Sequence, residues 1–360
     1  MITTYAMTST ATKPHRPAIS IDLALQGGGA HGAFTWGVLD RLLDEDWLKF
    51  EAVSGASAGA MNAVVLAHGL LVDGRPGTKK ALEAFWRRIA QSGTSPMSAL
   101  AGLLDFDAPM ASWWSPTRGV EIAQTVFSGL FSPYQFNPFN INPLLDILKS
   151  EVDFDALKTE QAVSLIISAT RVSDGSLRIF RNSDISAEAV MASACLPELF
   201  HAVHIDGESY WDGGYIANPA LEPLINETSA NDLLLVQLNP PRRTRDPNTA
   251  KEIAHRLNEI TFNANLSQAI HLIGQLKTAL GEEPLSGELK NPFFRRLQKL
   301  RLHRIAADEQ VFNLGRSTKL DPRWERLCEL RDLGAQAADD WLNAQASCLG
   351  VRSSIDCALL

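Results

Sequence analysis

The sequence is short of paired cysteines, long apolar runs and positive charge, and each shortage removes a class of function. Only four cysteines occur, Cys195, Cys328, Cys348 and Cys357, none in the close pairs that structural zinc sites and dithiol redox motifs require. A reducing, cytoplasmic setting is expected. The longest largely apolar stretch, Ala58 to Val72, falls short of the roughly 20 residues that cross a bilayer and is interrupted by Asn62 and His68. It predicts a buried helix. Residues 1–18 lack the apolar core of a secretory signal and read as a flexible lead-in. The formal charge is −8 with a pI near 5.5, so the field of the molecule repels a phosphate backbone and nucleic acid is excluded as a partner. With no calcium-loop pattern either, no metal and no cofactor are expected.

What is present is the make-up of a folded globular chain: 360 residues, 45% hydrophobic and 21% charged. Ile19, Ile21, Leu23 and Leu25 alternate and stop at three consecutive glycines, 27–29, which reads as a strand running into a tight loop. From His31 to Glu45, Phe34, Val38, Leu39, Leu42 and Leu43 recur at helical spacing, and a short strand, Phe50 to Ser54, follows. GASAGA at 55–60 then opens a second helix. This alternation predicts an α/β fold with a mostly parallel sheet covered by helices. Residues 74–79 read as a Gly/Pro loop, and 93–145 as an insertion dense in Trp113, Trp114, Phe127, Phe131, Tyr134, Phe136 and Phe139. Its stretch 105–145 suits a lid or an acyl-chain groove, or else a satellite core under a long loop. Strands resume at Ala162–Thr170 and Leu177–Arg181 around an Asp174-Gly175 hairpin turn, and Asp232–Leu238 is read as the last. The expected division is a catalytic domain over 19–240, an appended helical region over 241–345 and a tail over 346–360.

Two strand-to-helix turns carry the chemistry. Gly55-Ala56-Ser57-Ala58-Gly59 has the G-x-S-x-G form, whose small residues let a strained turn hold a serine hydroxyl out at a helix N-terminus. Taken alone, it is as readily a tightly packed Gly/Ser/Ala loop. In Gln26-Gly27-Gly28-Gly29-Ala30-His31-Gly32, consecutive glycines leave backbone N–H groups open toward the next helix, where they suit an oxyanion. Gly27, Gly28 and Gly29 are the candidate donors, Gly28 and Gly29 foremost. Gly27, Gly29 and Gly32 also satisfy the dinucleotide pattern G-x-G-x-x-G, but that use needs an acid ending the next strand, which here ends in Ser54-Gly55. A serine needs a base to take its proton, and Asp212, in Tyr210-Trp211-Asp212-Gly213-Gly214-Tyr215, is offered from a glycine turn. A lone D-G-G would be read as a loop cap.

GGGAHG, GASAG and DGG, in this order, resemble the patatin-like phospholipase family over roughly residues 20–240, as does Ala192-Ser193-Ala194-Cys195-Leu196-Pro197 followed by Phe200. The resemblance implies a central, mostly parallel sheet between helices and a Ser–Asp dyad without histidine. Ser57 would be the nucleophile, Asp212 the general base and the 27–29 glycines the oxyanion hole, with Gly32, Gly55, Gly59, Gly213 and Gly214 as motif support. Its implied substrate is a lipid ester of phospholipid or lysophospholipid type, with peripheral membrane contact; oligomeric state is not fixed. His31 departs from the Arg or Lys common in the family. His31 could aid an oxyanion only when protonated, which would make activity fall as pH rises through the imidazole range, or as a neutral N–H donor; a helix-N-terminal histidine with no catalytic part is the commoner case.

His255 or His271 would be needed for a Ser…Asp…His triad, but the serine turn comes too early in the chain for that fold and both histidines fall in the helical region. Arg295, Arg296, Lys299, Arg301 and Arg304 beside Leu297, Leu300 and Leu302 suit an anionic membrane surface, although a solvated helix face explains them more simply. Cys357-Ala358-Leu359-Leu360 matches a prenylation box without the usual upstream basic run. Catalytically silent lipid binding or scaffolding, and hydrolysis of other lipids or storage polyesters, are the alternative functions.

Overall fold

The computed structural model describes residues 16–92, 132–239, 246–282, 289–307, 319 and 321–355. Most of the lead-in, most of the aromatic insertion and the 357–360 box lie outside them. An eight-stranded sheet organises the chain. β1 (Ile19–Leu25) leads through the glycine loop to α1 (Gly32–Leu42), then β2 (Leu48–Gly55) and α2 (Ala58–Ser92). After α3 (Pro143–Glu151) and α4 (Phe154–Thr159) come β3 (Ser164–Arg171), β4 (Leu177–Arg181), α5 (Ala187–Ser193), β5 (Val203–Ile205) and β6 (Glu208–Asp212). The remainder is α6 (Glu222–Glu227), β7 (Asp232–Gln237), α7 (Ala250–Glu282), α8 (Pro292–Lys299), β8 (Arg301–Ala306) and α9 (Trp324–Gln345).

The spatial order is β5-β6-β3-β2-β1-β7-β8, with β4 pairing beside β3. β3, β2, β1, β7 and β8 run parallel, and β4 and β6 are antiparallel to β3. Such central strands need apolar residues on both faces, since helices cover both. Along β7, Leu234 and Val236 join the core beneath α1, α2 and α9, whereas Leu233 and Leu235 join a second core beneath α6, α7 and α8. The result is the expected α/β layering.

Two readings need correction. Residues 74–79 are not a loop: α2 runs through them, kinked only where Asp73 and Gly74 leave helical geometry, with Pro76 just inside the second half. Proline is tolerated there because the first turn has no partner for its N–H. Nor is the strand near 232–238 the last, and residues 241–345 are not solely helical, because β8 pairs in parallel with β7 over Asp232–Gln237. Its cations hid it. Arg301 binds both oxygens of Asp232 at 2.9 and 2.6 Å, and Arg304 reaches the side-chain oxygen of Gln237. Arg296 likewise turns inward, to Thr228, the Ala230 carbonyl and Asp22. Three of the five cations weighed for a membrane surface or a solvated helix face, Arg296, Arg301 and Arg304, are therefore engaged by the protein itself.

α9 also belongs to the core. A Cβ on Gly37 of α1 would overlap the Arg331 carbonyl, and one on Gly334 of α9 would overlap that of Phe34. Only glycine lets the two helix backbones approach this closely.

Candidate active site

Parallel pairing of β1 with β2, with Leu25 opposite Gly55, puts the two strand-to-helix turns side by side at one end of the sheet. Ser57 sits half-buried just before α2 with φ of 53°, a left-handed conformation rare outside glycine. The strain is held from neighbouring segments. Ser57 N–H donates to the side-chain and backbone oxygens of Ser193 at 2.9 and 3.1 Å, and a Cβ on Gly59 would overlap the Leu25 carbonyl. A serine so constrained is presented at the positive end of a helix.

Asp212 ends β6, opposite Ala169 of β3, and its peptide is fastened twice: its N–H donates to the Cys195 carbonyl at 2.8 Å and its C=O accepts from Thr170 Oγ1 at 2.7 Å. The side chain is 1% exposed. Oδ1 accepts from Gly214 N–H at 2.7 Å, while Oδ2 holds no well-formed hydrogen bond among the described residues. Burial pushes this carboxyl up to about 7; Gly214 N–H and the Ser57 hydroxyl oppose the rise and Glu198 adds to it. Ser57 and Asp212 are thus brought together. No histidine is among the groups acting on Asp212, and His271 is exposed on α7. The side chain of His255 lies outside the described residues.

The glycine loop divides. Gly27 packs against Ser57, with 2.7 Å between a Cβ there and that of the serine, and its N–H donates to Asn218 Oδ1 at 2.7 Å. Gly27 is therefore corrected out of the donor set, its proton being already committed. No such acceptor is found for Gly28 or Gly29 N–H among the described residues. Gly29 takes φ of 60° with the Lys319 carbonyl pressed against it, so a side chain there meets both strain and overlap.

The His31 charge reading is also corrected. Its ring is buried at the start of α1, and burial, with Lys319 and Arg326 repelling a further cation, lowers its pKa to about 3. Burial therefore favours its neutral form near pH 7. Lys319 approaches the loop from elsewhere, with Nζ 2.7 Å from Asn239 Oδ1, while Asn239 Nδ2 donates to the Gly27 carbonyl at 3.3 Å.

The family model of the patatin-like phospholipases matches residues 23–225. The chain belongs to the patatin-like phospholipase family. A comparison with curated proteins returned no match. Among solved structures, VipD from Legionella pneumophila is similar at 15% identity and a TM-score of 0.39, covering 91% of this chain and 67% of that one. ExoU, in its heterodimeric complex with SpcU from the type III secretion system of Pseudomonas aeruginosa, is similar at 15% identity and a TM-score of 0.31, covering 96% and 74%. These likenesses are distant, and the assignment rests on the family match. The patatin-like domain accounts for β1 through α6, whereas β7, α7, β8 and α9 follow it in the chain. Among the described residues no helix is long and apolar enough to cross a membrane.

Gln26 and Ser193 lie inside motifs legible in the sequence without a role of their own, whereas Asn218 and the Phe262–Asn265 turn fall outside every motif. Gln26 and Asn218 had a usable signal, an amide beside a glycine run and one shortly after D-G-G, and both are fully buried. The contribution of Phe262–Asn265 had none.

Proposed function

We propose that this patatin-like protein hydrolyses carboxylic esters of phospholipids or lysophospholipids through Ser57 and Asp212. Ser57 Oγ attacks the ester carbonyl carbon as its proton passes to Asp212 Oδ2. The carbonyl oxygen gains the negative charge, which the N–H groups of Gly28 and Gly29 stabilise. Collapse expels the alcohol portion of the lipid, which takes the proton back from Asp212. Water, deprotonated by the same carboxylate, then attacks the acyl-serine, and the fatty acid leaves as Ser57 is regenerated.

The observation that carries this reading is the pairing of a strained, helix-capping serine with a buried carboxylate whose Oδ2 is left open. A carboxyl near 7 is a stronger proton acceptor than an exposed aspartate and is substantially ionised at neutral pH. The test is hydrolysis of a medium-chain p-nitrophenyl ester and of a lysophospholipid by native protein, Ser57→Ala and Asp212→Asn. Both variants are expected to lose at least about a thousandfold in kcat while remaining folded. Full activity in Ser57→Ala would refute the mechanism, and an inactive native protein would leave lipid binding without catalysis as the function.

A further inference from the structure

One turn of α7, outside the segment matched to the family, packs on the Gly214–Tyr215 turn beside Asp212 and reaches the glycine loop through Asn218 and Gln26. The Phe262 ring packs at 4.8 Å, centroid to centroid, on Tyr215 and 2.5 Å from where a Cβ on Gly214 would stand, so it backs the turn that aims Asp212. Asn265 Nδ2 donates to the Tyr215 carbonyl at 2.9 Å, fixing the same turn from one helical step further on. The Phe262 carbonyl accepts from Asn218 Nδ2 at 3.1 Å, and the other end of that amide receives Gly27 N–H. Asn263 Oδ1 accepts from Gln26 Nε2 at 2.8 Å, while Gln26 Oε1 accepts from the N–H groups of Leu238 and Asn239, both at 2.8 Å. Phe262 and Asn263 are buried.

From this we infer that the Phe262–Asn265 turn of α7 is a positioning element for catalysis, setting the distance between the oxyanion loop and the Asp212 turn. It deepens the Ser57/Asp212 reading and rests on it. The loop leaves β1 and the Asp212 turn leaves β6, strands separated in the sheet by β2 and β3. Sheet pairing alone therefore places them only through two intervening strands. α7 bridges them directly, by ring packing on one side and amide hydrogen bonds on the other. Catalysis by preorganised donors is steep in distance, since a displacement of about 1 Å far from the reacting atoms can cost 100-fold in rate.

The test compares kcat, KM and the rate at which a fluorophosphonate labels Ser57 in full-length native protein, Ser57→Ala, Phe262→Ala, Phe262→Leu and Asn265→Asp, with thermal melts of each. Phosphonylation needs the nucleophile, its base and the oxyanion donors but no lipid contacts, so it reports their alignment. Phe262→Ala is expected to lose about tenfold in both kcat and labelling rate with KM within about twofold, and Phe262→Leu to recover most of the loss. Asn265 is only partly buried, so Asn265→Asp, which removes its donor, serves if Phe262→Ala does not fold; a fall in kcat and labelling at unchanged KM supports the inference there too. Native labelling rates in the folded α7 variants, or losses confined to KM, overturn it while the hydrolase reading stands. Failure of native protein to label at Ser57 overturns both.

Discussion

Asp212 and Asp232 are both 1% exposed, yet their surroundings drive them in opposite directions. Asp232, at the start of β7, accepts from Arg301 through both oxygens, from His303 Nε2 at 3.0 Å and from Gly350 N–H at 3.0 Å. Burial alone would raise its pKa, but these donors overcome it and hold the carboxyl well below the usual carboxylate range. Asp212 has one backbone donor, the Ser57 hydroxyl and an oxygen without a well-formed hydrogen bond among the described residues, and burial wins. Low exposure alone therefore does not decide the state of a carboxylate: Asp232 is less densely enclosed and has more donors and the Arg301 charge beside it, whereas Asp212 is fully enclosed with few donors. One region is saturated and structural. The other is left undersaturated at the carboxylate that receives the proton in the proposed mechanism.

The comparison is broken most severely by making the same substitution at both positions. Asp232→Asn leaves Arg301 without its counter-charge and turns an amide N–H₂ toward existing donors, so unfolding free energy should drop by about 3 kcal/mol in urea titrations. Hydrolysis per folded molecule should be retained. Asp212→Asn should do the reverse, losing hydrolysis while stability holds or rises, because an expensive buried charge is removed. Loss of hydrolysis in folded Asp232→Asn, or severe destabilisation by Asp212→Asn, would contradict the division.

A smaller effect sharpens it through pH. The folded state binds the Asp212 proton more tightly than the unfolded chain does, so this group makes stability fall as pH rises from about 4 to about 7. Asp22, pushed up to about 7 by burial against the pull of Thr228 and Arg296, contributes in the same direction. Asp232 has the opposite sign: its stabilisation is complete above the unfolded carboxylate range and fades as pH falls below about 4. Urea titrations across pH should therefore show Asp212→Asn gaining on native protein toward pH 8, and the deficit of Asp232→Asn closing toward acid. In the same pH series, kcat/KM of native protein should rise along a limb centred near 7, as Asp212 must be ionised to accept a proton.

The smallest expected effect is at His31. A neutral buried ring contributes no titration near neutrality, so His31→Gln should leave the position of that limb unchanged. A displaced limb would show that His31 carries charge in the working enzyme.

The opening strand, glycine loop, helix and serine turn were legible because their signals are local: periodicity in β1 and α1, and turn chemistry in Gly27–Gly29 and Gly55–Gly59. β8 was not. Arg301, His303 and Arg304 give it the look of a solvated helix face until Asp232 and Gln237 of β7 are placed beside them. Ser57 and Asp212 stood out within short motifs, whereas the amides that hold their surroundings act across long separations, 237 residues between Gln26 and Asn263. The committed N–H of Gly27 was hidden for the same reason, since its acceptor lies on another segment. The lost charge of His31 is a matter of burial, which residue identity does not reveal.

The sheet order carries a practical consequence for expression. β1, which launches the glycine loop, pairs with β7 from Ile21 to Leu25, and α1 lies under α9. A fragment cut at the end of the family match would bare the backbone edge of β1 and the apolar face of α1 together. Such an edge invites pairing with another copy, so the shorter fragment would be expected to aggregate where the whole chain folds.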